Sequence, residues 1–131
     1  MKYLFIDMDG TIADYWHKSG KCDIKEFDKG MFITKRPVKI VIDAIKTLFP
    51  ERDYMYLIIS IVPHEDGIVE KNDWLDKYFN IEKDRRVFLQ FPNSDKVYYI
   101  YKWCEVNNIK PEDVIFIDDH HDVLKKTRRM C

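Results

Sequence analysis

The chain has 131 residues, of which 46% are apolar and 15% aromatic, so it can build one substantial hydrophobic core. Its 22 basic and 23 acidic residues leave a net charge of -1, which excludes a global electrostatic field directed at nucleic acid or a membrane surface. The three cysteines are far apart, and no apolar run approaches the ~20 residues of a membrane span. We therefore expect a single domain over residues 1–131 of a cytoplasmic protein with no membrane partner.

The first element is a continuous apolar run, Tyr3 to Ile6, which predicts a strand buried on both faces. A segment from about residue 12 to residue 36 follows, with glycines, charges and scattered aromatic residues but no sustained periodicity. We expect a short cap-like insertion there, since a loop of this length inside a compact domain is commonly functional. After Pro37, apolar residues at helical spacing predict the first helix over residues 38–49.

Strands and helices alternate through the rest of the chain. Apolar runs predict three more strands, at Tyr54 to Ile59, Arg86 to Leu89 and Val114 to Ile117. A second helix is expected to end near Phe79, and a fourth to begin near Asp122. The third helix is expected to begin with Ser94 as its N-cap and Asp95 in its first turn. This alternation predicts an α/β fold with a three-layer, Rossmann-like parallel sheet and helices on both faces.

Polar residues gather after the predicted strands, at the edge where such sheets bind their ligands. They comprise Asp7 and Asp9 after the first strand, Ser60 after the second, and Asp118, Asp119 and Asp122 after the fourth. A turn or a helix N-cap would explain any one of these acids, but their convergence from two strands favours a catalytic site. Converging carboxylates need a compensating cation, and Mg²⁺ with its oxygen ligands is the natural candidate.

The same residues are suited to phosphoryl transfer. A carboxylate near Mg²⁺ can attack phosphorus, and the spacing of Asp7 and Asp9 allows one to be the nucleophile while the other moves the proton. The Ser60 hydroxyl is suited to bond a phosphate oxygen, and Lys96 to offset the charge that develops during transfer. Lys102, further along the same helix, is expected on a solvated face.

These residues resemble the motifs of the haloacid dehalogenase superfamily of aspartate-nucleophile phosphatases. The stretch "DMDGT" matches the first motif, D-x-D-G-T, in full, and the acidic pair in "IDDHHD" fits the fourth. Ser60 fits the second motif and Lys96 the third, so the motifs occur in the right order over nearly the whole chain. The stretches "GMFITKRP", "EKNDWLDKYF" and "IDDHHD" are most similar to the small 5'-nucleotidase-like, deoxyribonucleotidase-type branch.

The resemblance implies Asp7 as nucleophile and Asp9 as general acid and base. Around the phosphate it implies four substrate-binding residues, namely Gly10, Thr11, Ser60 and Lys96. It implies Mg²⁺ held by the Asp7 carboxylate, the Asp9 main-chain carbonyl and an aspartate of the fourth motif. Asp119 is the expected direct ligand, with Asp118 beside it or acting through water. Because the 12–36 insertion is short for a cap, the resemblance also implies an open site with a minimal cap or none.

The sequence therefore predicts a Mg²⁺-dependent phosphatase that hydrolyses a small phosphomonoester, such as a 5'-nucleotide, through an aspartyl-phosphate intermediate. Three alternatives stay open: a 3'-phosphatase acting on nucleic-acid ends, a non-catalytic phosphate- or protein-binding domain on the same fold, and a phosphotransferase. An open site and the basic residues within 125–129 would permit the first of these.

Overall fold

The computed structural model describes residues 1–13, 35–90 and 92–118. Within these ranges lie the strands β1 (Lys2–Ile6), β2 (Tyr54–Val62), β3 (Arg86–Gln90) and β4 (Val114–Ile117). The helices are α1 (Lys39–Leu48), α2 (Asp66–Tyr78) and α3 (Lys96–Asn107). All four predicted strands and the first three predicted helices are therefore confirmed. The expected fourth helix near Asp122 lies outside the described residues.

The four strands form one parallel sheet in the order β3-β2-β1-β4. Their carboxyl ends consequently share one edge, as the alternation of strands and helices predicts. The chain adds β2 and β3 on one side of β1 and then returns to place β4 on the other side. The boundary between β1 and β4 is thus the point at which the strand order reverses, where α/β sheets typically bind ligands.

Helices cover both faces of the sheet, because successive side chains of a strand point to opposite faces. On one face, Leu4 and Ile6 of β1 belong to a buried cluster with residues of α1 and α2, including Ile42 and Trp74. On the other face, Phe5 belongs to a cluster with α3. These contacts show a small α/β fold and explain why β1 is apolar throughout.

The predicted N-cap of α3 is wrong by one residue. Asp95, not Ser94, is the N-cap of α3, because its backbone is extended and its carboxylate accepts a hydrogen bond from the Tyr98 amide at 3.0 Å. Both residue types cap helices well, so the local sequence does not separate them. The shift makes Lys96 the first residue of the helix.

The described residues on either side of residues 14–34 lie next to each other, while residues 14–34 themselves lie outside the described residues. Ala13 forms an isolated antiparallel bridge with Pro37, and the Val38 amide donates to the Ile12 carbonyl at 2.8 Å. These contacts bring Lys35 to the neighbourhood of the loop after β1. The body of the expected insertion at 12–36 cannot be compared with the prediction, because only its two ends are described.

The lengths of the helices can be compared with the length that a membrane-spanning helix requires. Among the helices of residues 35–90 and 92–118, α2 is the longest at 13 residues. No helix in the described part of the chain has the length and apolar character that crossing a bilayer requires.

Candidate active site

The site begins at Asp7, the first residue after β1. Its amide donates to the Ile117 carbonyl at 2.8 Å, which extends the pairing of β1 with β4 by one step. The Asp7 side chain is almost fully buried, and the Thr11 hydroxyl donates to its Oδ2 at 3.3 Å. Asp7 therefore lies where β1 pairs with β4, so its buried carboxylate is at the switch point of the sheet.

A tight turn follows Asp7 and places Asp9 at the same edge of the sheet. The Met8 carbonyl accepts hydrogen bonds from the amides of Thr11, Ile12 and Ala13 at 2.9 to 3.3 Å. Gly10 has φ of 83°, a left-handed conformation that a side chain would disfavour. The structure thus explains the glycine of "DMDGT" by backbone geometry and the threonine by its bond to Asp7.

Lys96 lies between two carboxylates. Its Nζ is 2.5 Å from Asp7 Oδ1 and 3.0 Å from Asp118 Oδ2, and all three side chains are buried. Asp118 follows β4 directly, so the groups converge from β1, α3 and β4. Lys102, by contrast, pairs with Glu105 at 3.3 Å on a half-exposed face, as the sequence predicts.

The Lys96 ammonium group contacts both carboxylates, which lie close enough to repel each other. Burial raises the pKa of Asp7 to about 7; Lys96 opposes the shift, while Asp118 and Asp9 add to it. Burial would lower the pKa of Lys96, but the carboxylates of Asp7 and Asp118 outweigh burial and hold it above its ordinary value. A cation bound to these carboxylates would relieve their repulsion.

Asp9 has the opposite environment, because both of its carboxylate oxygens accept hydrogen bonds from lysines. Lys35 Nζ lies 2.9 Å from Oδ1, and Lys71 Nζ lies 2.8 Å from Oδ2. Burial would raise the pKa of Asp9, but the ammonium groups of Lys71 and Lys35 outweigh it and lower the pKa to about 2. Asp9 is therefore an ionised carboxylate throughout the physiological pH range.

Ser60 lies inside β2 rather than after it, because β2 continues to Val62. The expectation that Ser60 follows its strand is thus wrong: β3 pairs with β2 up to Val62, beyond the last pair with β1 at Ile58. The Ser60 hydroxyl accepts a hydrogen bond from Lys71 at 2.6 Å. Its own proton can still be donated to another acceptor.

Sequence reasoning missed Lys35 and Lys71. Lys71 is fully buried on α2, and its ammonium group donates to Asp9, Ser60 and the Ile61 carbonyl. The helical periodicity does contain a signal for Lys71. It lies three residues before Trp74 and four before Leu75, which places it on the buried face of the helix. Lys35 precedes the first helix, so no helical periodicity marks it; its only sequence signal is its place in the stretch "GMFITKRP".

The described residues fit Mg²⁺ by their chemistry. Asp7 and Asp118 supply two buried carboxylates within reach of one ammonium group. Mg²⁺ typically takes one or two carboxylates and completes its shell with water and phosphate oxygens. Within residues 1–13, 35–90 and 92–118, no cluster of three histidine, cysteine, aspartate or glutamate side chains is arranged around a metal position. Asp119, the expected direct ligand, lies outside the described residues.

Comparisons with known proteins name no family for this chain. No protein-family model matches it, and no curated protein matches it significantly. Any functional assignment therefore rests on the chemistry of the site itself. The contacts bring together six of the expected residues and the two that were missed, Lys35 and Lys71. The six are Asp7, Asp9, Thr11, Ser60, Lys96 and Asp118.

Proposed function

We propose that this protein is a Mg²⁺-dependent phosphatase of the haloacid dehalogenase type, which hydrolyses a phosphomonoester through a phospho-Asp7 intermediate. The observation that carries the proposal is the placement of Asp7. It is a buried carboxylate at the switch point of the sheet, bonded to Lys96 and Thr11 and beside Asp118. Burying charged groups has a desolvation cost, and buried charged clusters with shifted pKa values are typical of functional sites.

In the first step, an Asp7 oxygen forms a bond to phosphorus while the bond from phosphorus to the leaving oxygen breaks. The Lys96 ammonium group, which already contacts Asp7, stabilises the negative charge on the phosphoryl oxygens. The Ser60 hydroxyl donates to one of those oxygens. Asp7, the Asp9 carbonyl and Asp118 would hold Mg²⁺, with Asp119 as a further ligand, and the ion supplies Lewis-acid polarisation of the phosphate.

In the second step, Asp9 accepts a proton from water as the water oxygen attacks phosphorus, which releases phosphate and restores Asp7. The bonds from Lys35 and Lys71 keep Asp9 ionised, so its carboxylate is available to accept this proton. The same bonds lower its basicity, so protonated Asp9 then passes the proton on to solvent. To donate a proton to the leaving oxygen in the first step, Asp9 would first have to be protonated, and its hydrogen bonds from Lys35 and Lys71 oppose this. Leaving groups that depart without a proton are therefore the favoured substrates of this arrangement.

The test is phosphate release from a panel of p-nitrophenyl phosphate, 5'-nucleotides, sugar phosphates and 3'-phosphorylated oligonucleotides, with Mg²⁺ or with EDTA. We expect Mg²⁺-dependent release by the wild-type protein and none by Asp7→Asn. Borohydride reduction of a quenched reaction should convert phospho-Asp7 to homoserine, which mass spectrometry detects. Full activity of Asp7→Asn would refute the mechanism, and no release from any substrate would favour a binding domain.

A further inference from the structure

Asp9 is held by lysines that come from two different parts of the fold. Lys71 belongs to α2, and Lys35 lies four residues before α1. Each lysine bonds a different oxygen of the Asp9 carboxylate, so together they restrict rotation of the side chain. The D-x-D-G-T motif accounts for Asp9 but assigns nothing to position 35.

Lys35 is itself anchored by its backbone. The indole N–H of Trp74, a fully buried residue of α2, donates to the Lys35 carbonyl at 2.8 Å. Two residues later, Pro37 pairs with Ala13 next to the loop that carries Asp9. The Lys35 side chain is 7% exposed, so its ammonium group is directed inward and shielded from water. A partly buried hydrogen bond between charged groups, as here, restrains geometry more strongly than a fully exposed ion pair.

We infer that Lys35 is a positioning residue for the chemical steps, because it sets the orientation of the Asp9 carboxylate over the phosphoryl group. The inference rests on the proposed function and deepens it, since it makes the residues just before α1 part of the site. Lys35 acts through Asp9, which moves a proton during turnover. Its removal therefore slows the reaction without weakening substrate binding in proportion.

The experiment measures kcat and KM of the full chain with p-nitrophenyl phosphate and Mg²⁺ for Lys35→Met, Lys35→Ala and Lys35→Arg. Lys102→Met is the matched control, since Lys102 is half-exposed and, among the described residues, contacts Glu105 and Tyr98 of its own helix. We expect Lys35→Met to lower kcat by roughly 10- to 100-fold and to change KM by less than about threefold. We expect Lys102→Met to stay within about twofold of the wild type in both constants.

Chemical rescue separates the charge of Lys35 from its packing. Propylammonium should restore part of the kcat of Lys35→Ala, while propanol, which has a similar size and no charge, should not. Lys35→Arg should retain more kcat than Lys35→Met, since it keeps a cationic donor. Thermal unfolding of each variant establishes that the protein measured is folded.

Several outcomes would overturn the inference. These are a wild-type kcat in Lys35→Met, a raised KM with unchanged kcat, and equal rescue by propanol. Failure of all three Lys35 variants to fold would also overturn it, because the role would then be structural. A wild-type protein without phosphatase activity is a distinguishable result, since it refutes the proposed function before any variant is compared.

Discussion

Replacing Asp7 with asparagine should abolish turnover and, in metal-free buffer at pH 8, make the protein more stable. Asp7 is 4% exposed, and burial raises its pKa from 3.8 to about 7. Since one pKa unit corresponds to about 1.4 kcal/mol, ionisation of Asp7 lowers the free energy of unfolding by up to about 4 kcal/mol. Asparagine keeps the shape of the side chain and cannot ionise, so the variant avoids this loss.

The sign of the effect sets its pH dependence. Because the pKa is higher in the folded chain, protonated Asp7 favours folding, and this contribution is fully present below pH 3.8. It is lost as the pH rises to about 7, so the advantage of Asp7→Asn should grow over this interval and level off above it. In a chain of this size, each kcal/mol shifts the melting temperature by about 3–5 °C.

The assay is thermal unfolding followed by circular dichroism in EDTA, at pH 5 and at pH 8. Asp73→Asn is the matched control, because Asp73 is an exposed residue of α2 and its replacement should change stability by less than about 0.5 kcal/mol. An Asp7→Asn protein less stable than the wild type at pH 8 would refute the reasoning. A stability difference that does not grow with pH would also refute it, since burial of a charge would not then be its cause.

Three further predictions follow from the same contacts. Arg86 donates to four acceptors in and just after α2 and pairs with Asp76 at 2.8 Å. Arg86→Met leaves these acceptors without their donor, so it should lower the free energy of unfolding in urea by about 2–4 kcal/mol. A small effect, comparable to that of the more exposed Arg85→Met, would contradict this. Asp95→Ala should lower the free energy of unfolding by about 1 kcal/mol, and Ser94→Ala should leave it almost unchanged. A larger loss from Ser94→Ala than from Asp95→Ala would contradict the N-cap assignment. Carbon-13 NMR of the Asp7 carboxyl should show a pKa near 7 in EDTA and a lower pKa with Mg²⁺, because a cation favours the ionised form; no response to Mg²⁺ would argue against this metal site.

Local patterns were sufficient to predict the elements of the fold. The apolar run of β1 faces two helical layers, so its continuity along the sequence reflects burial on both sides. Lys96 was separable from Lys102 because it lies at the start of α3, beside the carboxyl ends of the strands. The N-cap was missed by one residue, since Ser94 and Asp95 are equally good caps and only the backbone conformation selects between them.

The sequence by itself determined the order of strands and helices, the "DMDGT" loop at the end of the first strand and the lysine that meets Asp7. These features depend on periodicity and on residues adjacent in the chain. Only the tertiary structure decided that Asp9 is held by Lys35 and Lys71, which lie 26 and 62 positions away along the chain. The physical reason is that the sheet register and the packing of Trp74 bring these ammonium groups to one carboxylate, and no local pattern specifies such long-range contacts.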